Sequence, residues 1–284
     1  MNKSGGLKAK GKIKRSSENK PLVSIITPVF NGKAYLEQTI QSVLGQTYDN
    51  IEYIVIDGGS TDGSLELIQK YDDQLDYWLS EPDSGMYDAI NKGLKTAAGD
   101  IFAYLNSDDL YHPDSVKSAV EYFWKHPGAD MIYGHCDFLG PNGEFLYHYH
   151  YPRFKFKSFV AMNTSTIPQQ TTFWRGAIHK KIGYFDTALK MCGDFDFYAK
   201  AGKSCRVDHT KKNLARFRIH EASLTSRQGY RNQGEVDLIH KRYCRTSGIP
   251  LIFLRNWMDV KLKLLNIPTM FRKIYLYSKK LNFR

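Results

Sequence analysis

Short apolar runs rich in β-branched residues alternate along this chain with segments whose apolar residues recur at helical spacing. The runs at 22–26, 51–56, 75–79 and 101–105 have the length and composition of buried strands. Amphipathic segments follow each of the first three runs, and Pro113 begins another after the fourth. This alternation predicts an α/β domain with a mostly parallel central sheet and helices on its faces.

The run at 101–105 ends abruptly in a polar sequence, Asn106-Ser107-Asp108-Asp109. Open α/β sheets bind ligands outside the carboxyl ends of their strands, and adjacent carboxylates are tolerated there when a cation offsets their repulsion. Carboxylate oxygens are ligands that Mg²⁺ and Mn²⁺ prefer, so Asp108 and Asp109 are candidate metal ligands. The alternative is that both residues only open the turn that leads to Pro113.

Two further polar segments follow strands of the same predicted sheet. Asp57 precedes a loop rich in glycine and hydroxyl side chains, where its carboxylate could accept a hydrogen bond from a ligand N–H or hydroxyl. Asp88 and Asn91 stand three residues apart and therefore share one face of the helix after 75–79. That face either borders the ligand-binding edge or is solvated, and both interpretations fit the spacing.

The positive charge of the chain is concentrated at its ends. The formal net charge is +11, but residues 1–20 contribute seven Lys or Arg and one Glu, while residues 249–284 contribute eight Lys or Arg and one Asp. The residues between them carry a small net negative charge. The sheet domain therefore lacks a general affinity for phosphate backbones, and we expect no nucleic-acid partner.

The N-terminal residues and the cysteines set expectations about order and location. Residues 1–20 are rich in Lys and Gly and lack periodicity, which predicts a disordered basic arm. The four cysteines show no Cys-x-x-Cys spacing, and no apolar run approaches the length of a membrane-spanning helix. We therefore expect a cytoplasmic protein.

The chain resembles the family 2 glycosyltransferases, inverting enzymes with the GT-A fold, over roughly residues 21–235. Four segments stand in the order found in that family, namely 23–31, 55–63, 88–93 and 105–109. A match to one such motif would be weak evidence for the resemblance, whereas four matches in the family order are specific evidence for it. The resemblance implies a Rossmann-like GT-A domain, a hexosyltransferase-type activity with a nucleotide-diphosphate sugar donor, and Mn²⁺ or Mg²⁺ as cofactor.

The resemblance also implies roles for single residues on the donor side. Asp108 matches the last Asp of the DxD motif, which ligates the metal, and Asp109 adjoins it. Asn106 stands at the first DxD position, where its amide could bind the ribose. The donor contacts implied in this way are Pro28, Phe30, Asp57, Asp88, Asn91, Asn106 and Ser107.

Three later segments resemble the acceptor side of the family's site. Gln170 lies in a segment near the donor and acceptor pocket. Asp194 matches the general base, which is needed because a sugar hydroxyl is a poor nucleophile. Asp196 is a local rival for that role, and Asp194 could instead be only a helix N-cap. His220 matches a histidine that approaches the diphosphate, although a core or surface histidine fits the sequence equally well.

These residues predict a single in-line displacement that inverts the anomeric centre. The acceptor would be a hydroxyl of a saccharide or lipid-linked saccharide in cell-surface polysaccharide biosynthesis. One alternative is a sugar-1-phosphate nucleotidyltransferase, and another is a non-catalytic membrane-surface binding module of the same fold. The sequence names neither the sugar nor the acceptor.

Residues 236–284 predict a basic amphipathic helical extension of the domain. Its leucines, aromatic side chains and cations suit peripheral contact with an anionic membrane, which would hold the protein at the inner face of the membrane. The alternative is that these helices pack on the domain with their Lys and Arg side chains in water.

Overall fold

A mixed β-sheet with helices on both faces forms the body of the protein. The computed structural model describes residues 3–163, 165–223, 232–244 and 251–273. The strands of the sheet are β1 (Lys3–Gly5), β2 (Val23–Val29), β3 (Ile51–Asp57), β4 (Tyr77–Ser80), β5 (Ile101–Tyr104), β6 (Leu110–Tyr111), β7 (Met131–Leu139), β8 (Phe145–Tyr149), β9 (Phe173–Arg175) and β10 (Val207–Arg218). The α-helices within the described ranges are α1 (Lys33–Leu44), α2 (Ser64–Lys70), α3 (Met86–Thr96), α4 (Ser115–Lys125), α5 (Phe156–Val160), α6 (His179–Ile182), α7 (Gly193–Ser204), α8 (Gln233–Tyr243) and α9 (Leu251–Leu265), and 267–273 is also helical.

The middle of the sheet is parallel. Strands β4, β3, β2 and β5 lie side by side in that order and run in the same direction. Strand β9 pairs antiparallel with both β5 and β7, and β10 runs parallel to β7. The arrangement confirms the predicted α/β class. Because the four parallel strands end at one edge, the polar segments that follow them converge there.

The side chains of strand β2 pack into the hydrophobic cores on both faces of the sheet. Ile25 belongs to the core shared with α1, α2 and α4, whereas Ile26 belongs to the core on the other face, beside α3. Successive strand residues point to opposite faces, so a strand that is covered on both sides must be buried throughout. All seven residues of β2 are buried. Helix α3 approaches closely because Gly93 lies against Ile26, where a Cβ atom would be 2.6 Å from that side chain.

Residues 3–20 are folded onto the sheet, which corrects the prediction of a disordered arm. Strand β1 pairs antiparallel with β4 and covers its edge. Lys8 forms an ion pair with Glu52 at 2.5 Å, and Lys14 forms one with Asp76 at 2.9 Å. Both carboxylates are only 1% exposed, and a buried charge requires a partner. The prediction was wrong because composition alone treats these lysines as solvated.

Helix α8 packs as part of the sheet domain, although the extension was predicted to begin at residue 236. Val236 and Ile239 are fully buried in the core that contains α3 and α7. The carboxylate of Glu235 accepts hydrogen bonds from the backbone nitrogens of residues 190–192. We therefore place the end of the domain after α8.

Helix α9 and the helical segment at 267–273 lie against the domain along one side. Arg255 Nε donates to the backbone oxygen of Ala161 at 3.2 Å, and Asn266 exchanges two hydrogen bonds with the backbone of His150. The parts of the predicted extension at 245–250 and 274–284 lie outside the described residues. Across the described ranges, no helix combines the length and the apolar content needed to cross a bilayer.

Candidate active site

A cleft of about 690 Å³ opens at the edge where the parallel strands end. It is lined by the loops after β2, β3 and β5, by the first turns of α3 and α7, and by residues at and beyond the end of β10. Small-ligand sites typically enclose roughly 300–1,000 Å³. The cleft therefore has both the position and the size expected of a ligand site on an open α/β sheet.

The loops after β2 and β3 form one wall of the cleft, and each holds the other in place. The backbone nitrogen of Asn31 donates to Ser60 Oγ at 2.8 Å, while the side-chain oxygen of Asn31 accepts from the backbone nitrogen of Thr61 at 2.9 Å. Asn31 takes a left-handed conformation, with φ of 52°, to make both contacts. Pro28 and Phe30 line this wall, and Phe30 is 67% exposed.

Asp57 does not line the cleft, which corrects its predicted placement. Its buried carboxylate accepts hydrogen bonds from the backbone nitrogen and hydroxyl of Ser60 and from the hydroxyl of Ser80. Asp83, which follows β4, lines the cleft instead and lies over Gly58, where a Cβ atom would be 2.4 Å from its Oδ2. Asp57 closes its own loop, and Asp83 is the carboxylate of this part of the sheet that lines the cleft.

Asp88 and Asn91 on α3 also lie outside the cleft lining. Asp88 accepts a hydrogen bond from the backbone nitrogen of Ser84 at 3.1 Å and lies 3.5 Å from Lys92 Nζ. Asn91 is 6% exposed and exchanges two hydrogen bonds with the backbone of Phe185. Their predicted donor contacts are therefore corrected, because Asp88 stabilises the start of α3 while Asn91 fixes a neighbouring loop.

The segment after β5 forms the floor of the cleft. Asn106 Nδ2 donates to Gln169 Oε1 at 3.2 Å, and Gln169 Nε2 donates to the backbone oxygen of Tyr104 at 2.6 Å. In this hydrogen-bond network, Asn106 Oδ1 is buried and has no hydrogen-bond partner among the described residues. Ser107 lines the floor beside Gly32, where a Cβ atom would lie 2.8 Å from Ser107 Oγ. The floor thus contains a buried acceptor oxygen that has no partner within the described ranges, beside a backbone that passes close by.

Asp108 presents its carboxylate to the cleft in contact with His220. Nε2 of His220 lies 2.9 Å from Oδ2 of Asp108, and both residues line the cleft. The imidazole also rests on Tyr35, with the ring centroids 4.5 Å apart, and its buried Nδ1 has no hydrogen-bond partner within the described part of the chain. The structure therefore brings together two residues that the sequence separates widely.

Asp109 points into the interior rather than into the cleft. It is fully buried, and its Oδ1 accepts a hydrogen bond from the backbone nitrogen of Arg218 at 3.0 Å. Burial and the neighbouring charge of Asp108 raise the pKa of Asp109 well above its usual range. The buried Arg218 side chain in turn donates from Nε to the backbone oxygen of Asp108. Asp109 therefore supports Asp108 and β10 from behind, which corrects its predicted place among the metal ligands.

Asp194 lines the cleft from the first turn of α7. Its Oδ1 accepts a hydrogen bond from the backbone nitrogen of Phe195 at 2.7 Å, and its backbone nitrogen donates to the hydroxyl of Tyr87 at 3.2 Å. Burial raises the pKa of Asp194 to about 6, and the contacts with Phe195 and Tyr87 oppose part of that rise. The N-cap position of α7 is Cys192, so Asp194 is not simply the cap. A cleft carboxylate with this pKa can accept a proton near neutral pH.

Asp196 faces away from the cleft, into the contact between α7 and α8. It is fully buried and receives Arg242 Nη1 at 2.8 Å, Tyr243 Oη at 3.0 Å and Lys200 Nζ at 2.7 Å. A carboxylate held by two cations and a phenol is a structural group. Its prediction as a pocket residue, and as a rival base to Asp194, is therefore corrected.

Aromatic side chains and Gln170 form the remaining wall. Phe138, Tyr151 and Phe217 line the cleft on this side, and the rings of Phe138 and Phe217 meet edge-on with centroids 5.3 Å apart. Gln170 is 7% exposed, lines the cleft and contacts Asp109. Sequence reasoning missed the aromatic wall because aromatic residues in strands are ordinarily core positions.

The predicted residues divide into two groups. Those that the structure brings to the cleft are Pro28, Phe30, Asn106, Ser107, Asp108, Gln170, Asp194 and His220. Those that support it from outside the lining are Asp57, Asp88, Asn91, Asp109 and Asp196. The polar lining residues that the sequence did not single out include Asp83, Tyr35, Tyr87 and Gln169.

The donor set suits a metal ion that is completed by a ligand. In the described ranges, no cluster of three or more His, Cys, Asp or Glu side chains could hold an ion. Mg²⁺ and similar ions are commonly held by one or two carboxylates together with substrate phosphates. Asp108, His220 and the unpartnered Asn106 Oδ1 fit that kind of site.

Comparison with known proteins places this geometry in context. The family model described as Glycosyl transferase family 2 matches residues 24–183. An uncharacterized glycosyltransferase of Rickettsia typhi is 33% identical over 213 residues, which is 72% of this chain and 66% of that protein. The chain spans about two thirds or less of the length of the rickettsial relatives that it matches.

Two solved structures share the fold. S. aureus TarS in complex with UDP-GlcNAc matches with a TM-score of 0.64 at 21% identity, covering 82% of this chain and 69% of that one. A mannosyltransferase from Pyrobaculum calidifontis in complex with GDP-Man and Mn²⁺ matches with a TM-score of 0.58 at 16% identity, covering 95% and 79%. At these identities the likeness shows the GT-A fold alone.

Proposed function

We propose that this chain, which belongs to glycosyl transferase family 2, transfers a sugar from a nucleotide-diphosphate sugar to an acceptor hydroxyl with inversion at the anomeric carbon. The observation that carries the proposal is a single cleft lined by both Asp108 and Asp194. An inverting displacement needs a group that binds the leaving diphosphate and a base that deprotonates the acceptor. The two carboxylates have different surroundings, which suits these different tasks.

Asp194 serves as the general base in this proposal. Because burial raises its pKa to about 6, the carboxylate is ionised at neutral pH and still basic enough to take the proton as the acceptor oxygen attacks. Phe195 and Tyr87 orient it through the first turn of α7. The transferred proton remains on a carboxyl whose neutral form is favoured by its burial.

Asp108 and His220 would hold a divalent ion, Mn²⁺ or Mg²⁺, with Asn106 Oδ1 as a third ligand of the ion or as a partner of the ribose. When bound, the ion neutralises charge that develops on the leaving diphosphate. Arg218 positions Asp108, because its guanidinium donates a hydrogen bond to the backbone oxygen of Asp108. The same guanidinium lies 4.7 Å from the ring centroid of Tyr35. The Mn²⁺ in the related mannosyltransferase structure supports the assignment.

The donor nucleotide would lie along the wall built by the loops after β2 and β3. Asp83 takes over the role predicted for Asp57, because its carboxylate lies at the cleft and can accept from a base N–H or ribose hydroxyl. Gly58 leaves room for that contact. The nucleotide sugars bound to the two related structures support a donor of this class.

The acceptor would enter beside Phe138, Tyr151 and Phe217, since aromatic faces are suited to the apolar face of a sugar ring. We propose a saccharide or lipid-linked saccharide acceptor at the inner face of the membrane, in cell-surface polysaccharide biosynthesis. The basic, amphipathic C-terminal helices support that location.

Release of nucleoside diphosphate tests the proposal. Wild-type protein with Mn²⁺ is incubated with a panel of UDP- and GDP-linked sugars, and Asp194→Asn serves as the matched control. We expect at least one donor to be consumed by the wild type and to be nearly inert with the variant. Pyrophosphate release from a sugar 1-phosphate and a nucleoside triphosphate would instead support a nucleotidyltransferase. Absence of both activities would contradict the proposal.

A further inference from the structure

The C-terminal helices carry a continuous apolar stripe on the side that faces away from the domain. Its six residues follow one another at alternating spacings of four and three, and each is at least 45% exposed: Phe253, Trp257, Val260, Leu264, Ile267 and Phe271. Such spacing keeps the four residues on α9, from Phe253 to Leu264, on one face of the helix over about 17 Å, and Ile267 and Phe271 continue the spacing in the helical segment that follows. Large side chains in this number are seldom left exposed without a binding role.

The opposite side of the same helices is fixed to the domain, so the stripe has a defined direction. Met258, Asn266 and Thr269 are 3%, 3% and 6% exposed. Asn266 bonds the backbone of His150, and Thr269 donates to the backbone oxygen of His148 at 2.5 Å. The predicted packing on the domain is thus made by one face of these helices, and the stripe lies on the other face.

Lysines border the stripe on both sides. At about 100° per residue, Lys261 and Lys263 project roughly 80° to either side of its centre. Lys261 Nζ lies 5.1 Å from the ring centroid of Trp257. Residues 251–273 contain five Lys or Arg and a single Asp. An apolar face with an indole and flanking cations is the side-chain arrangement of a helix that lies in a lipid interface.

We propose that this stripe is a docking surface for an anionic lipid bilayer, with α9 lying parallel to the membrane plane and its lysines at the headgroups. A second copy of the chain fits the surface less well, because pairing two stripes would bring the same excess of cations together along both edges. The inference rests on the proposed function at the inner face of the membrane, and it names the surface that binds there.

Vesicle sedimentation tests the surface without any donor or acceptor, so its failure is distinguishable from failure of the transfer reaction. The full chain is mixed with vesicles of phosphatidylcholine and phosphatidylglycerol, or of phosphatidylcholine alone. We expect binding to the anionic vesicles that weakens with rising salt. The double variant Phe253→Ser/Leu264→Ser should bind roughly tenfold or more weakly, since it removes two apolar side chains from the interface.

Trp124→Ser on α4 is the matched control, because Trp124 is 54% exposed and lies outside the stripe. It should bind like the wild type, and unchanged thermal melting of all variants would show that folding is intact. The pair Lys261→Ala/Lys263→Ala should bind more weakly only to the anionic vesicles. Equal binding by the wild type and the stripe variant would overturn the proposal. So would absence of binding by the wild type, or stripe-dependent dimerisation in its place.

Discussion

The hydroxyl oxygen of Tyr87 lies 3.2 Å from the backbone nitrogen of Asp194, so that α3 and α7 meet at the cleft. The same hydroxyl donates to the backbone oxygen of Met191 at 3.2 Å. Tyr87 is 3% exposed and is therefore fixed by its surroundings. This contact holds the first turn of α7, and with it the proposed base, in one position.

The contact has a consequence for the pH dependence of turnover. If Asp194 must be ionised, kcat/KM should fall about tenfold per pH unit below its pKa of about 6 and level off above it. Tyr87 opposes the rise of that pKa, so Tyr87→Phe should move the midpoint to higher pH. A pH profile of both proteins measures the shift. An unchanged midpoint in Tyr87→Phe would show that the contact does not tune the base.

Asp194→Asn should lower kcat roughly 10²-fold or more, because the amide cannot accept the proton. Its stability should not fall. The pKa of Asp194 is higher in the folded protein than in the unfolded chain, so the folded state binds more protons and loses stability as pH rises from about 4 to about 6. The amide removes that cost, and thermal melting at pH 8 measures the difference.

Asp196→Asn is the paired variant and should show the opposite pattern. It removes the charge of a fully buried carboxylate that pairs with the partly exposed Arg242 and Lys200, which should cost roughly 1–3 kcal/mol of unfolding free energy. Turnover per folded molecule should stay close to the wild type. A large loss of kcat with unchanged stability in Asp196→Asn would return the role of base to that residue.

Asp108→Asn and Asp109→Asn separate the two adjacent carboxylates. Asp108 faces the cleft, so its amide variant should lose most activity and most of the response to added Mn²⁺. Asp109 is fully buried, and its amide variant should keep the metal response of the wild type even if it melts earlier. Titration of activity with Mn²⁺ after chelation distinguishes them. Full turnover of the wild type in excess chelator would contradict the metal assignment.

The N-terminal residues give a prediction about stability alone. Lys8→Met leaves the buried carboxylate of Glu52 without its cation and should cost roughly 1–3 kcal/mol. Lys12 is exposed and has the same charge, so Lys12→Met should stay within about 0.5 kcal/mol of the wild type. Urea denaturation compares the two. Equal stability of both variants would mean that residues 3–20 do not support the sheet.

The sequence predicted the elements of the fold because the pattern of buried strands is local. The seven residues of β2 are all buried, and apolar runs of that kind are visible without any knowledge of what packs on them. The sequence-based prediction failed for residues 3–20, because the pairing of Lys8 with Glu52 depends on a contact across the fold. Composition cannot reveal that a carboxylate on β3 is buried.

The same difference between local patterns and contacts across the fold applies to the candidate site. Residues directly after β5, such as Asn106 and Asp108, line the cleft because the end of a strand fixes their direction. Asp57 and Asp196 do not line it, because Ser80 and Arg242, which bind their carboxylates, come from other parts of the chain. Motif matching identifies the segment of a site, whereas hydrogen-bond competition decides which carboxylate in it remains available.

Inversion by direct displacement is the central claim, and it can be measured without knowing the acceptor. Water replaces the acceptor when the protein hydrolyses an α-linked nucleotide sugar, and proton NMR of the first-formed sugar, before mutarotation, reports its anomeric configuration. A single displacement assisted by Asp194 predicts that the β-anomer forms first and that Asp194→Asn forms almost none. Initial release of the α-anomer by the wild type would contradict the mechanism.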